Sequence, residues 1–176
     1  MEFQEKNVLV FGSGKSGIAA AELLEKQNAN IFVFEGNEKQ SVAEIKEKSE
    51  SFAKAEIYVG TLPEEVMDKL DFVVLSPGVP TDLPLVNAMR DKKIMIIGEI
   101  ELAYQVAKGK ILAITGTNGK TTTTTLVGEI LSNYFKDVKV VGNIGIPYTS
   151  VAADTTEETV TAAEDRKSTR LNSSHL

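Results

Sequence analysis

The stretch NVLVFGSGKSGIAAAELLEKQNANIFVFE, residues 7–35, decides the fold of the first half of this chain. The short apolar run at residues 7–12 predicts a strand buried on both faces of a parallel sheet. Residues 16–27 place apolar side chains on one helical face and charged ones on the other, so they predict an amphipathic helix. Asn28 can adopt the left-handed conformation that ends a helix, and residues 31–35 predict the next strand.

The same alternation of elements continues along the rest of the chain. It extends through residues 42–50, 56–59 and 64–70 to predicted strands at 71–75 and 94–97. A connecting helix is predicted at 98–107, followed by a strand at 110–115, a helix at 121–135, and strands at 138–141 and 159–163. This order predicts an α/β protein with parallel sheets and helices on both faces. We place one domain at residues 1–98 and the beginning of a second at 99–164.

Composition narrows the possible function classes. The chain has 176 residues, a formal net charge of -6 and no cysteine. The acidic balance argues against general attraction to nucleic acid or anionic membranes, and the absence of cysteine excludes disulfides and thiolate metal sites. No apolar run approaches the roughly 20 residues of a membrane span, and the first residues do not resemble a signal peptide. We therefore expect a cytoplasmic protein.

The last twelve residues, DRKSTRLNSSHL at 165–176, have a different character. They show no periodicity, and in one frame they resemble the translation of a sequencing-library adapter, so we expect a non-native tail. The alternative is a genuine disordered tail. His175, the only histidine, lies here, so we infer no histidine-based catalysis or metal binding.

The first chemical motif is Gly12-Ser13-Gly14-Lys15-Ser16-Gly17, a G-x-G-x-x-G between a predicted strand and helix. Its glycines allow backbone N–H groups at the helix N-terminus to approach an anionic diphosphate. Glu35, at the end of the next strand, is placed to accept hydrogen bonds from a sugar or a base. The motif does not separate a nicotinamide cofactor from another nucleotide, and a tight turn without a ligand is the alternative.

The second motif, AITGTNGKT at residues 113–121, also follows a strand and begins a helix. It is a variant phosphate-binding loop, because the usual pattern has glycine where Ile114 stands. Lys120 is expected to reach the terminal phosphates and the Thr121 hydroxyl to ligate Mg²⁺. A chance G-K-T is the alternative. The predicted phosphate-binding residues are Gly116, Thr117, Asn118, Gly119, Lys120, Thr121 and Thr122.

Two smaller motifs follow predicted strands. They are Ser76-Pro77-Gly78 and the segment GNIG at residues 142–145. Open α/β sheets bind their ligands at this carboxyl edge, although proline and glycine also mark ordinary loops.

Five segments in order, VLVFGSGKSG, SPGVP, GEIEL, ITGTNGKTTT and GNIG, resemble the Mur ligase family over residues 7–164. The resemblance implies a Rossmann-like N-terminal domain that holds a UDP-sugar, not a nicotinamide, followed by the start of an ATP-binding P-loop central domain. Glu35 would lie near the uracil, where the family commonly has aspartate. The implied UDP-sugar contacts are Ser13, Gly14, Lys15, Ser16, Gly17, Glu35, Ser76, Pro77, Gly78 and Asn143.

The resemblance also implies a reaction in peptidoglycan precursor synthesis. The γ-phosphoryl group of ATP is transferred to the carboxylate of UDP-N-acetylmuramoyl-L-alanine, and the amine of D-glutamate then displaces phosphate to form an amide. Lys120 and Thr121 are the implied catalytic residues, and Thr121 and Glu164 the implied Mg²⁺ ligands. Glu164 stands where the family has the glutamate of an E-x-S-S-F motif, which this sequence does not continue. The complete enzyme would act on small molecules, without nucleic acid or membrane, and is expected to be monomeric.

The family also has further central-domain residues and a C-terminal domain that binds D-glutamate. We therefore expect that this polypeptide does not catalyse the ligation alone and that its second sheet leaves an apolar edge uncovered. Two other hypotheses are a non-catalytic UDP-sugar-binding module and another member of the family. A nicotinamide-dependent oxidoreductase is disfavoured, because it would leave the second phosphate loop unexplained and no candidate catalytic histidine or cysteine is present.

Overall fold

Strand β1 (Asn7–Phe11) lies at the centre of the first sheet, and Val8, Leu9 and Val10 are completely buried. A computed structural model describes residues 2–142 and 146–164 of the chain. These residues divide between Glu99 and Ile100 into two units. The run of aliphatic residues explains the central place of β1, since a strand with neighbours on both sides and helices against the sheet is shielded from water on all sides.

The first unit alternates strands and helices around a parallel sheet. In the described residues this sheet has five strands in the order β3-β2-β1-β4-β5, and every neighbouring pair is parallel. After β1, its elements are α1 (Lys15–Lys26), β2 (Asn30–Glu35), α2 (Val42–Lys46), α3 (Glu50–Lys54), β3 (Glu56–Val59), α4 (Glu64–Met67), β4 (Phe72–Leu75), α5 (Pro84–Asp91) and β5 (Met95–Gly98).

The second unit is built on a smaller parallel sheet. Helix α6 (Glu99–Val106) begins at the boundary, and the sheet has the order β6-β8-β7 among the described residues. Helix α7 packs against both β7 and β8. The elements after α6 are β6 (Lys110–Ile114), α7 (Lys120–Ser132), β7 (Val138–Gly142), α8 (Thr149–Ala152) and β8 (Val160–Glu164).

The α/β fold predicted from the sequence is confirmed, with three local differences. The segment 42–50 holds the whole of one short helix and the first residue of another, because Ser49 accepts a hydrogen bond from Phe52 N and caps a new helix. Helix α7 ends at Ser132, three residues before the predicted end. Helices α5 and α8 were not predicted, and each is short and buries only two residues.

Both edge strands of the second sheet expose large apolar side chains. Leu112 on β6 and Val140 on β7 are each 43% exposed, and Leu126 and Ile130 of α7 are more than half exposed. The uncovered apolar edge stays a prediction, since these side chains lie on the faces of the strands and on α7. None of the described helices has the length and apolar character needed to cross a membrane.

Candidate functional site

The turn between β1 and α1 requires one glycine, and the first turn of α1 requires another. Gly12 has a φ of +106°, a left-handed value that side chains other than glycine rarely adopt. A Cβ at Gly17 would lie 1.9 Å from the carbonyl oxygen of Gly12, so the helix approaches the end of the strand too closely for any side chain. Gly14 is the N-cap of α1. The turn therefore presents the first N–H groups of α1 beyond the carboxyl end of β1, a geometry suited to an anion.

Ser13 and Glu35 were predicted as separate contacts of one ligand. In the structure they are joined to each other by hydrogen bonds. The Glu35 Oε2 atom accepts hydrogen bonds from Ser13 N at 3.0 Å and from Ser13 Oγ at 2.6 Å, and Oε1 accepts one from Asn37 N at 2.9 Å. Burial raises the pKa of Glu35, but these hydrogen bonds and the charge of Lys48 outweigh it, so the net pKa lies below the ordinary value of 4.5. The carboxylate is thus held ionised beside the glycine-rich turn.

Lys48 and Gln40 join this polar cluster, and the sequence analysis missed both. The Lys48 Nζ atom donates to Ser13 O at 3.2 Å, to Ser13 Oγ at 2.9 Å and to Gln40 Oε1. No motif marks either residue. Lys48 is 35 positions from Ser13 and 8 positions from Gln40, and none of the three lies in a helix or strand.

The Ser76-Pro77-Gly78 segment begins directly after β4. Ser76 N donates to Phe11 O at 3.0 Å, and a Cβ built on Gly12 would meet Ser76 Oγ at 3.0 Å, so Ser76 lies against the glycine-rich turn. Pro77 and Gly78 are exposed at the same edge of the sheet. Lys15 is exposed in the first turn of α1, Ser16 is half-buried there, and Asn143 lies outside the described residues. The described candidates of the first unit therefore lie at or just after the carboxyl ends of β1, β2 and β4.

The second loop connects β6 to α7. Gly116 and Gly119 have φ values of +142° and +73°, which glycine adopts without strain. The Lys120 Nζ atom donates to Gly116 O at 2.7 Å and to Thr117 O at 3.4 Å, so the lysine folds over its own loop. Asn118 is exposed with the rest of the loop. The ammonium group therefore lies over the loop where terminal phosphates are predicted to bind.

Thr121 meets Glu164 at the end of the central strand β8. Its Oγ1 atom lies 3.1 Å and 3.3 Å from the two carboxylate oxygens, and Glu164 is only 5% exposed. Gly142, the last residue of β7, lies beside Glu164 in the sheet. A Cβ at Gly142 would lie 2.5 Å from Glu164 O, so no side chain fits there. The structure thus brings together the two residues predicted as metal ligands.

The donor set fits Mg²⁺. A hydroxyl and a carboxylate are hard oxygen donors, which Mg²⁺ prefers, and it commonly takes only one or two protein ligands together with phosphate oxygens and water. Among residues 2–142 and 146–164, no group of three or more histidine, cysteine, aspartate or glutamate side chains could hold a metal ion. An ion held by Thr121 and Glu164 would take its remaining ligands from phosphate oxygens and water.

A run of five threonines begins α7 although β-branched residues are poor helix formers. Thr124 Oγ1 donates to Lys120 O at 2.8 Å, and Thr125 Oγ1 donates to Thr121 O at 2.9 Å. These bonds satisfy the hydroxyls within the helix. Thr122 is exposed in the first turn of the helix.

A glycine-rich strand-to-helix turn on one parallel sheet and a lysine-bearing loop on another are typical of α/β nucleotide-binding proteins. Comparison with protein families identifies which family of this class the chain matches. Residues 6–98 match the N-terminal domain of the Mur ligase MurD-like group, and residues 114–171 match the Mur ligase middle domain. The chain belongs to the Mur ligase family.

Two curated relatives with the same name match most of this chain. The chain is 54% identical over 164 residues to the UDP-N-acetylmuramoylalanine--D-glutamate ligase of Lachnoclostridium phytofermentans, and 48% identical over 164 residues to that of Lachnospira eligens. Each match covers 93% of this chain and 36% of the relative, so the chain spans about a third of the length of these proteins. Among solved structures, a pseudomurein peptide ligase type C from Methanothermus fervidus is similar over 91% of this chain and 33% of its own, with 20% identity and a TM-score of 0.49.

Proposed function

We propose that this chain is the UDP-sugar-binding and ATP-phosphate-binding part of a ligase that adds D-glutamate to UDP-N-acetylmuramoyl-L-alanine. The observation that carries the proposal is the pairing, in one chain, of the Ser13–Glu35 cluster on one sheet with the Thr121–Glu164 contact on a second. The names of relatives at 54% and 48% identity support the substrate assignment. Ligation is proposed for the whole protein, and the two binding reactions for this chain.

In the first unit, the proposed ligand is the UDP-sugar. The glycine-rich turn holds the diphosphate through N–H groups of the first turn of α1, and the ionised Glu35 accepts a hydrogen bond from the uridine part. Ser76 lies beside Gly12, at the same end of the sheet. Lys15, exposed in the first turn of α1, supplies a positive charge that favours the diphosphate.

In the second unit, the proposed ligand is ATP with Mg²⁺. Lys120 is expected to exchange its contacts with Gly116 O and Thr117 O for oxygens of the terminal phosphates. Thr121 and Glu164 would hold the metal ion, which would supply positive charge beside the phosphates during phosphoryl transfer. The loop N–H groups around Gly119 orient the same phosphates.

The chemical logic follows from the acceptor. A free carboxylate resists attack by an amine, because the group that leaves would be a strongly basic oxide. Transfer of the γ-phosphoryl group to the substrate carboxylate forms an acyl phosphate and releases ADP. The amine of D-glutamate then attacks the acyl carbon, the amide bond forms, and inorganic phosphate leaves. Lys120 contributes positive charge where negative charge accumulates during the first transfer.

The proposal extends to organisation and compartment. We propose domains at residues 1–98 and 99–164, a cytoplasmic location, and a monomeric complete enzyme that contributes to cell-wall synthesis. Residues 165–176 are proposed to be non-native or disordered, and they lie outside the described residues.

The test is calorimetric titration of the purified chain, first with UDP-N-acetylmuramoyl-L-alanine and then with Mg-ATP. Lys120→Ala is expected to weaken Mg-ATP binding roughly 10- to 150-fold, the value of one or two charge-assisted hydrogen bonds, without changing UDP-sugar binding. Lys110→Ala is the matched control, because Lys110 is an exposed lysine at the other end of β6. Binding of NADH in place of the UDP-sugar would contradict the proposal and support an oxidoreductase.

A further inference from the structure

The predicted phosphate-binding loop contains the only Asn-Gly dipeptide of the sequence, Asn118-Gly119. In such a dipeptide the backbone nitrogen of glycine can attack the side-chain carbonyl carbon of asparagine. A carbon–nitrogen bond forms and ammonia leaves. Water then opens the resulting five-membered imide to give aspartate or isoaspartate. The reaction needs no enzyme and no oxidant, only a backbone that lets the two atoms meet.

The loop leaves both reacting groups accessible. Asn118 is exposed, and it lies with Gly119 in a bend outside the helices and strands. Among residues 2–142 and 146–164, no hydrogen bond holds the Asn118 side chain or the Gly119 N–H group. A Cβ built on Gly119 would meet no atom within 4 Å, so the space beside the attacking nitrogen is open. The absence of a side chain at Gly119 also leaves the backbone there more conformational freedom than any other residue would.

The electrostatic surroundings favour the reaction. The attacking nitrogen gives up its proton, and the intermediate carries negative charge on the former amide oxygen. Gly119 is the N-cap of α7, a helix of 13 residues, and the positive end of a helix dipole stabilises negative charge close to it. The Lys120 Nζ atom, which donates to Gly116 O at 2.7 Å, adds a positive charge on the same loop.

We propose that Asn118 is a site of spontaneous deamidation in the ligand-free chain, and that the carboxylate formed there weakens Mg-ATP binding. This inference rests on the proposed function, because it takes the loop as the phosphate site of the second unit. A carboxylate at position 118 places negative charge at the N-terminus of α7, and it offers the Lys120 ammonium group a partner other than phosphate. Isoaspartate also adds one carbon atom to the backbone of the loop, which displaces the N–H groups that follow.

The same argument makes the nucleotide protective. Phosphate oxygens bound by the loop N–H groups would hold the Gly119 nitrogen away from the Asn118 side chain. Only the unbound fraction of the chain then reacts. At an Mg-ATP concentration about ten times its dissociation constant, about one molecule in eleven is unbound, so deamidation is expected to be about tenfold slower.

The experiment incubates the whole 176-residue chain at mildly alkaline pH, with and without Mg-ATP, and follows position 118 by peptide mass spectrometry. Replacement of the amide NH₂ by OH is the signal. Asn133 is the internal control, because it is also exposed but its Nδ2 atom donates to Glu129 O at 2.8 Å and a tyrosine follows it. We expect Asn118 to be modified, Asn133 to stay intact, and Mg-ATP to slow the reaction at Asn118 alone.

Calorimetry measures the consequence for the nucleotide. The aged chain and Asn118→Asp are each expected to bind Mg-ATP at least about fivefold more weakly than the fresh chain, the repulsion of two unit charges about 4 Å apart in water. Asn118→Gln would have to form a six-membered ring, which is slower, so it should keep its own starting affinity through the incubation. Circular dichroism establishes that each sample is folded, and the aged wild-type chain serves if Asn118→Asp does not fold.

The outcomes separate this inference from the proposed function. Equal modification of Asn118 and Asn133 in the ligand-free chain would overturn the inference and leave the proposed function standing. Deamidation at Asn118 with unchanged Mg-ATP affinity would also overturn the inference alone. Absence of Mg-ATP binding by the fresh, folded chain would contradict the proposed function and the inference together.

Discussion

Replacing Gly17 by alanine tests the close approach of α1 to β1. The added Cβ would lie 1.9 Å from the Gly12 carbonyl oxygen, whereas ordinary contacts of this kind begin at about 3.4 Å. The obstructing atom belongs to the backbone, so the helix must move by about 1.5 Å relative to the strand. Overpacking of this kind lowers the free energy of unfolding by roughly 1–3 kcal/mol. Because a backbone atom cannot move aside as a side chain can, we expect a loss of about 3 kcal/mol for Gly17→Ala.

The assay is hydrogen exchange measured by mass spectrometry on peptides from β1 and α1, because it reports on the first unit separately from the second. A loss of about 3 kcal/mol corresponds to roughly 150-fold faster exchange where opening is at equilibrium. Gly14→Ala is the control in the same turn, since a Cβ at Gly14 meets nothing within 4 Å, and it is expected to cost less than about 1 kcal/mol. Equal exchange in Gly17→Ala and the wild type would refute the packing argument.

Three further predictions concern the metal contact, the second unit and acid stability. Glu164→Gln keeps the side-chain size but removes its charge, so calorimetry should show at least about tenfold weaker binding of Mg-ATP and unchanged binding of metal-free ATP. Gly128→Ala places a Cβ 2.3 Å from Val140 Cγ2 and should lower stability by about 1–2 kcal/mol in thermal melting, with most of the loss reversed by Val140→Ala in the double variant. Burial raises the pKa of Glu35, but hydrogen bonds from Ser13 and Asn37 outweigh it, so the net pKa is lowered. The pKa of Glu25 is lowered by hydrogen bonds from Lys54 and Ser51. Their contribution to folding is therefore complete above the ordinary value of 4.5 and is lost as pH falls through the lowered pKa, so urea unfolding should show the first unit weakening below pH 4.5.

Local patterns were sufficient where neighbouring residues determine the structure. Residues 7–35 fold as β1, α1 and β2 because the apolar spacing changes from a strand period to a helix period within one segment. Asn28 has the predicted left-handed conformation, with a φ of +58°. The phosphate loop lies at the predicted junction, between β6 and α7. These features depend on contacts between residues only a few positions apart, so the sequence pattern alone predicts them.

Features that depend on distant residues were not predictable in the same way. Lys48 reaches Ser13 across 35 positions, and nothing in the sequence around Lys48 marks it as a partner. Helix α5 has only 8 residues and buries only Val86 and Met89, so the segment is too short for its apolar spacing to separate it from a loop. The strand order of each sheet depends on how crossovers pack, and alternation alone does not fix that order.

The position of the central strand differs between the two sheets and implies different folding behaviour during translation. In the first sheet the central strand is β1, which leaves the ribosome before its neighbours, so the sheet can grow outward as β2 and β4 are made. In the second sheet the central strand is β8, which is synthesised after both β6 and β7. Among the described residues, those two strands pair with β8 and not with each other, so neither has this partner until Glu164 has been added. The nascent second unit must therefore keep two unpaired apolar strands apart from other chains during its synthesis, a stage at which chaperone binding would be most useful.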